Sequence, residues 1–144
     1  MSNKYQDYVI KNGEFVGAFD EMYKEASEVP WHQDRTAYSL IVDIDLTILK
    51  HNLKNHNKEI LDVGCGLGYV TNRIKEIVPG SNITGVDVSS EAIRKAQKMF
   101  PHLAFETCDL STLIESGSCI KHKRFDFIYI KDVVWYVVEC IDVF

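Results

Sequence analysis

Three closely spaced glycines follow a short apolar segment and precede an amphipathic one, in the stretch EILDVGCGLGYVTNRI at residues 59–74. A turn from a buried strand into a helix directs backbone N–H groups and the positive end of the helix dipole towards a ligand above the sheet. Glycine permits positive φ and a close approach of ligand to backbone. The pattern predicts a nucleotide-type binding turn at Gly64, Gly66 and Gly68.

The residues after this turn restrict the kind of ligand. The dinucleotide fingerprint requires a small residue at its sixth position, where this chain has Tyr69, so a nicotinamide dinucleotide is disfavoured. A phosphate-binding P-loop is excluded because no Gly-Lys-Ser/Thr follows. Asp87 ends the next apolar segment, ITGVD, where a carboxylate can accept hydrogen bonds from both hydroxyls of a ribose. Asp87 as a cap of the following helix is the alternative that the residues leave open.

The surrounding segments alternate between strand-like and helix-like patterns. We predict strands at 59–63, 83–88, 103–110 and 124–132, and helices at 69–78, 89–100 and 133–144. Strands that alternate with helices form βαβ units, so the expected fold is α/β with a parallel sheet.

The N-terminal part reads differently. The first fifteen residues are polar and expected to be loosely held, and apolar residues at helical spacing predict a helix over 14–27. Residues 36–53 fit both an alternating strand and an amphipathic helix, and their length favours the helix. We therefore divide the chain into an N-terminal helical lid or cap, 1–57, and a core, 58–144.

Composition excludes several functional classes. The chain has 144 residues, a formal net charge of -5 and a pI near 5.5, which argues against broad electrostatic binding to nucleic acid or anionic membranes. Its cysteines and histidines lack metal-ligand spacing, so no metal is assigned. No apolar run is long enough for a signal peptide or a membrane span. These features predict a cytoplasmic protein.

Four motifs in order carry a resemblance to a known family. EILDVGCGLGYVTNRI resembles motif I of the class I S-adenosylmethionine-dependent methyltransferases, GVDVSSEAIRKA resembles their second motif, FETCDL the third, and FDFIYIKDVVWYV the segment of strand four. The resemblance extends from about Lys58 to Val138. It implies a Rossmann-like sheet and S-adenosylmethionine as cofactor.

The resemblance also implies a role for particular residues. Asp62, Gly64, Cys65, Gly66 and Gly68 would line the methionine moiety, Asp87 would bind the ribose, Val88 would pack by the adenine, Asp109 with Cys108 and Leu110 would recognise the adenine amino group, and Ile130 and Lys131 would lie near the methyl group. From the residues alone, Cys65 and Cys108 are interpreted as packing residues, and an ordinary loop carboxylate is the alternative for Asp109.

The sequence also offers candidate residues for closing the cofactor site and for catalysis. Trp31, Arg35 and Trp135 are candidates to close the site. Asp132, Lys131 and His32 are candidate bases, but the sequence assigns no catalytic residue. A displacement at a sulfonium methyl needs a base only if the acceptor starts protonated.

The family's complete sheet has seven strands, ordered 3-2-1-4-5-7-6, and only 3-2-1-4 can be built here. The chain thus resembles a family member truncated after strand four, whose exposed edge a second copy could cover. The sequence lacks the Asn-Pro-Pro-Tyr-like and Pro-Cys motifs of base methylation, so we expect a small-molecule methyl acceptor. A cofactor-binding module without catalysis and, less favoured, an NAD-dependent oxidoreductase are the alternatives.

Overall fold

The computed structural model describes residues 4–53, 57–110, 120 and 123–133. Its elements in chain order are α1 (Gln6–Val9), β1 (Ile10–Lys11), β2 (Glu14–Phe15), α2 (Phe19–Glu25), a 3₁₀ turn (Pro30–His32), α3 (Gln33–Thr36), α4 (Leu40–Asn52), β3 (Glu59–Val63), α5 (Tyr69–Ile77), β4 (Asn82–Asp87), α6 (Ser90–Met99), β5 (Ala104–Thr107) and β6 (Phe127–Ile130). No helix within these ranges is long and apolar enough to cross a membrane.

Four parallel strands form the central sheet, in the order β5-β4-β3-β6. In the numbering of the βαβ units this is 3-2-1-4, so the predicted fold class and strand order are confirmed. Asp62 of β3 lies beside Gly85 of β4 and Tyr129 of β6. Among the described residues β6 pairs with β3 alone, and Ile128 on it is 38% exposed.

The central strand β3 is buried on both faces, as expected for a parallel sheet covered by helices. Ile60 packs with α4 and α5 on one face, in a cluster that includes Leu46 and Ile74. Leu61 and Val63 face the other side, because successive side chains of a strand alternate.

Helix α4 is the element that the sequence left ambiguous between strand and helix. The helix is confirmed, and it begins where the Ser39 hydroxyl accepts a hydrogen bond from the Val42 N–H. Arg73 of α5 forms an ion pair with Asp43 of α4 (2.9 Å) and donates a hydrogen bond to the carbonyl of Ala37, which lies before α4 at the end of α3 (2.6 Å).

The predictions for the first residues are wrong in two respects. The expected helix over 14–27 spans only Phe19–Glu25, and the supposedly loose segment forms α1 and a hairpin. Asn12 and Gly13, both at positive φ, make the two-residue turn between β1 and β2. Asn-Gly is a favoured sequence for this turn because both central residues need positive φ. Val9 is buried, which anchors the segment.

The strands and helices predicted between residues 59 and 110 are confirmed, and their ends shift by no more than one residue except that the strand predicted at 103–110 already ends at Thr107. The predicted helix at 133–144, together with Trp135, lies outside the described residues apart from Val133. The division of the chain at residue 57 stays a prediction.

Candidate functional site

The glycine turn connects β3 to α5 at the carboxyl edge of the sheet. Gly64, Gly66 and Gly68 have φ of +73°, +52° and +80°, which side-chain-bearing residues rarely adopt. A Cβ on Gly64 would lie 2.4 Å from the Val133 side chain, and one on Gly68 would lie 2.6 Å from the Phe105 ring. The glycines are therefore required by the close packing of the protein's own side chains as well as by backbone conformation.

Backbone N–H groups of this turn already have partners inside the protein. Val86 O accepts hydrogen bonds from the N–H groups of Gly64 (2.8 Å) and Cys65 (3.0 Å), and Cys65 O accepts one from Gly68 (2.9 Å). The Gly66 N–H donates to Asp87 Oδ2 and the Leu67 N–H to Gln33 Oε1, both at 2.9 Å.

The sequence led us to expect that the turn directs its N–H groups at a ligand, whereas in the structure the N–H groups of residues 64–68 donate to acceptors within the protein. A phosphate cradle needs several free, convergent N–H groups. Residues 64–68 offer their N–H groups to other acceptors, so this arrangement suits a ligand without phosphate at the turn.

Asp87 lies at the end of β4 and is half-buried. Its Oδ2 accepts from the Gly66 N–H and its Oδ1 from the Ser89 N–H, at 2.9 Å each. Burial raises the pKa of Asp87 and outweighs the lowering effect of these two bonds. A carboxylate has about four lone-pair sites, so two further hydrogen bonds can be accepted. Asp87 thus joins β4 to the turn while keeping acceptor capacity.

Asp62 lies beneath the turn rather than on its surface. It is 3% exposed and accepts a 2.6 Å hydrogen bond from the Thr71 hydroxyl on α5. Burial, with a smaller contribution from the charge of Asp87, raises the pKa of Asp62 to about 7. This geometry lets Asp62 hold α5 against β3, and its expected place beside the methionine moiety stays a prediction.

Residues after β5 reach the same edge of the sheet. The Cys108 N–H donates to Asp87 O (2.9 Å), and Cys108 and Leu110 are buried in one apolar cluster. Asp109 between them is exposed, as is Val88 beside Asp87. The structure therefore joins the residue before Asp109 to the backbone of Asp87, while the exposed Val88 and Asp109 each adjoin a residue of this backbone bond. Cys65 is also buried, which agrees with a packing role.

Beyond β6 the chain supplies charged groups. Ile130 packs into the apolar cluster with Val133, whereas Lys131 is half-buried between Asp45 of α4 (4.0 Å) and Asp132 (3.2 Å). Asp132 is exposed and has φ of +58°, which is uncommon outside glycine. Asp45, which the sequence did not single out for the site, also accepts a 3.0 Å hydrogen bond from the Tyr129 hydroxyl.

Two aspartates of α4 form a DxD motif that suggests metal binding in isolation. Asp43 instead pairs with Arg73, and Asp45 contacts Tyr129 and Lys131. In the described part of the chain no group of three or more His, Cys, Asp or Glu side chains is close enough to hold a metal ion.

The N-terminal segment reaches the turn through residues that the sequence did not identify. Gln33 and Tyr23 lie against Gly66, and a Cβ there would come within 2.3–2.7 Å of their side chains. Trp31, a predicted site residue, packs instead among Tyr5, Phe19 and Tyr23. Arg35 is exposed on α3. Glutamine at a short helix carries no motif, so the sequence had no signal for Gln33.

Comparison with known proteins places the chain in a family. A model of a methyltransferase domain family matches residues 54–144. The malonyl-[acyl-carrier protein] O-methyltransferase of Bacillus cereus is 39% identical over 66 residues, which are 45% of this chain and 23% of that protein. The trans-aconitate 2-methyltransferase of Paracidovorax citrulli is 27% identical over 77 residues, which are 54% of this chain and 26% of that protein.

Solved structures show the same fold. Magnesium protoporphyrin IX methyltransferase from Synechocystis, crystallised with bound SAM, superimposes with a TM-score of 0.56 at 22% identity, over 89% of this chain and 60% of that one. The chain belongs to the methyltransferase domain family, and its resemblance to the class I S-adenosylmethionine-dependent members is confirmed. The matches span between 20% and 29% of the curated relatives' own length.

Proposed function

We propose that this chain binds S-adenosylmethionine at the carboxyl edge of its sheet and transfers the methyl group to a small-molecule acceptor. The observation that carries the proposal is Asp87, whose carboxylate is fixed by two backbone N–H groups and keeps lone pairs for a ribose. The fully paired turn beside it suits S-adenosylmethionine, which has no phosphate.

The proposal assigns the expected site residues as follows. Asp87 accepts the ribose hydroxyls, and Val88 and Asp109 lie where the adenine would be held, supported by Cys108 and Leu110. The turn, from Asp62 to Gly68, borders the methionine moiety. Ile130 and Lys131 flank the methyl group. Exposure of Val88 and Asp109 beside a half-buried Asp87 supports this arrangement.

Bound at this edge, the sulfonium of the cofactor supplies a methyl group for a single displacement. The protein's part is to orient the two reactants, which can contribute roughly 7–11 kcal/mol to lowering the barrier. Lys131 lies just after the end of β6, with carboxylate oxygens of Asp45 and Asp132 at 4.0 Å and 3.2 Å from its Nζ. We assign no catalytic base.

A small-molecule acceptor is supported by the acidic net charge of -5 and by the relative named for trans-aconitate methylation. We further propose a cytoplasmic protein, in line with the two free cysteines among the described residues, and a homo-oligomer that covers the edge of β6.

The test is calorimetric titration of the chain with S-adenosylmethionine, S-adenosylhomocysteine and NAD. We expect the first two to bind and NAD not to bind. Asp87→Ala should raise the dissociation constant of S-adenosylhomocysteine by about tenfold to a hundredfold, as expected for one or two lost hydrogen bonds to a charged group. The control is Asp7→Ala, which removes an exposed aspartate of α1 and should bind normally. Binding of NAD, or equal binding by both variants, would contradict the proposal.

Turnover is tested with methyl-labelled S-adenosylmethionine and a panel of acceptors that begins with small carboxylic acids. Label transfer that Asp87→Ala reduces and Asp7→Ala preserves would establish the enzyme. Cofactor binding without transfer to any acceptor class would favour the non-catalytic binding module.

A further inference from the structure

We propose that Gln33, held in place by Tyr23, is a positioning residue for the cofactor-binding turn, and that the N-terminal segment sets cofactor affinity through it. The inference rests on the proposed function. It concerns two residues outside the stretch that resembles the methyltransferase motifs, and it is carried by their contacts with Gly66 and Leu67.

A chain of two hydrogen bonds links the turn to the N-terminal segment. Gln33 Oε1 accepts the Leu67 N–H at 2.9 Å, and Gln33 Nε2 donates to the Tyr23 hydroxyl at 3.0 Å. Leu67 is buried, and among residues 64–68 its N–H is the one that depends on the N-terminal segment. A buried N–H that loses its acceptor costs free energy, so Gln33 stabilises the conformation in which Leu67 faces it.

Gln33 also fits closely against Gly66. The position of a Cβ on Gly66 lies 2.3 Å from Gln33 Nε2, 2.6 Å from Gln33 Oε1 and 2.7 Å from the Tyr23 hydroxyl. The amide of Gln33 thus packs directly against Gly66 of the turn. The N–H of Gly66 donates a hydrogen bond to Asp87. Because Gln33 packs against Gly66, it helps to position the carboxylate that is proposed to bind the ribose.

The N-terminal segment is itself firmly held. Tyr23 is 5% exposed and lies in an apolar cluster with Met22 and Leu67. Lys95 of α6 donates a hydrogen bond to Tyr23 O. Asp20 accepts from the Ser89 hydroxyl (2.6 Å) and the Glu91 N–H (3.0 Å) at the start of α6. Helix α2 is thereby fastened to the core beside the turn.

The backbone is strained immediately before Gln33. Trp31 and His32 have φ of +51° and +49°, in the left-handed region that side-chain-bearing residues seldom occupy. Such conformations persist only where the surroundings determine them, and they cluster at functional sites. Here the packing of Trp31 against Tyr5 and Tyr23 supplies that determination, and the chain leaves the strained pair at Gln33.

The test compares Gln33→Met with Gln97→Met. Both substitutions keep the side-chain length. Gln33→Met removes an amide that makes two half-buried hydrogen bonds, with the Leu67 N–H and the Tyr23 hydroxyl, whereas Gln97→Met removes an amide that donates one, to Phe105 O on β5. We expect Gln33→Met to raise the dissociation constant of S-adenosylhomocysteine about tenfold and Gln97→Met to leave it within about twofold. Gln33→Met should also lower the urea unfolding midpoint, because it leaves the buried Leu67 N–H without its acceptor. The dissociation constants are therefore compared without urea, where circular dichroism shows both variants folded, so that loss of affinity is measured apart from loss of stability.

A third variant, Tyr23→Phe, removes only the acceptor for Gln33 Nε2 and should raise the dissociation constant less. Because both residues act through one chain of contacts, the double variant with Gln33→Met should bind no more weakly than Gln33→Met alone.

Normal binding by Gln33→Met, an equal loss in Gln97→Met, or additive losses with Tyr23→Phe would overturn the inference while leaving the proposed function intact. A wild-type chain that fails to bind S-adenosylhomocysteine would instead refute the proposed function, and the inference with it.

Discussion

Gly68→Ala separates two reasons for a glycine in the turn, namely backbone conformation and close packing. Gly68 has φ of +80°, and a Cβ there would lie 2.6 Å from Phe105 Cζ. The Phe105 ring cannot move away freely, because Phe105 is 4% exposed and its ring also packs against Gly85, where a Cβ would lie 2.8 Å from it. The Phe105 ring therefore packs between Gly68 and Gly85.

The chain offers a matched control in Gly13→Ala. Gly13 has φ of +82° and nothing within 4 Å of its Cβ position, so alanine there meets the same backbone strain without a clash. The left-handed conformation costs alanine roughly 1–2 kcal/mol, partly offset by the lost entropy of the unfolded chain. Overpacking costs typically 1–3 kcal/mol more. We expect Gly68→Ala to be less stable than Gly13→Ala by about that second amount.

Urea unfolding followed by circular dichroism measures this difference. With an m-value of about 2 kcal/mol/M, the midpoint of Gly68→Ala should lie about 1 M below that of Gly13→Ala. Phe105→Leu added to Gly68→Ala should restore part of the loss, because a smaller side chain leaves room for the Cβ. Equal midpoints for the two alanine variants would refute the packing argument and return Gly68 to a purely conformational role.

Two further predictions concern Asp62 and Arg73. The folded pKa of Asp62, about 7, lies above the ordinary value of 3.8, so its contribution to stability falls as the pH rises from about 4 to 7. Asp62→Asn should remove this dependence of stability on pH. From pH 4 to 7 the unfolding free energy of Asp62→Asn should therefore rise by a few kcal/mol relative to that of the wild type. Parallel pH profiles of the two proteins would disprove the raised pKa of Asp62. Arg73→Ala should cost about 1–2 kcal/mol in urea unfolding, since it loses Asp43 and the Ala37 carbonyl together. Arg73→Lys should recover less than half, because an ammonium lacks the planar fork, and full recovery would argue against the two-acceptor geometry.

The core was predictable because its pattern is local. EILDV and ITGVD are short apolar runs bounded by turn residues, and alternation with amphipathic helices leaves little choice but a parallel sheet. In the structure the hydroxyls of Ser39 and Ser89 cap the starts of α4 and α6. Asn12-Gly13 is a favoured hairpin turn, but its flanking strands are only two residues long and therefore too short to show an alternating pattern in the sequence.

The candidate site was only partly predictable. Aspartates at strand ends, such as Asp87 and Asp109, can be read from the sequence because the carboxyl ends of parallel strands share one edge. The partners of the turn cannot, since Gln33 reaches Leu67 across 34 positions and Asp45 reaches Tyr129 across 84. Contacts at that separation depend on how α2, α3 and α4 dock, which no local pattern encodes.

The most direct test of the account is a crystal structure of the chain with S-adenosylhomocysteine. The account predicts that both ribose hydroxyls lie within hydrogen-bond distance of the Asp87 carboxylate, and that the Gly66 and Leu67 N–H groups keep their bonds to Asp87 and Gln33. A ligand bound elsewhere, or one whose atoms replace Asp87 or Gln33 as the acceptors of these N–H groups, would contradict it.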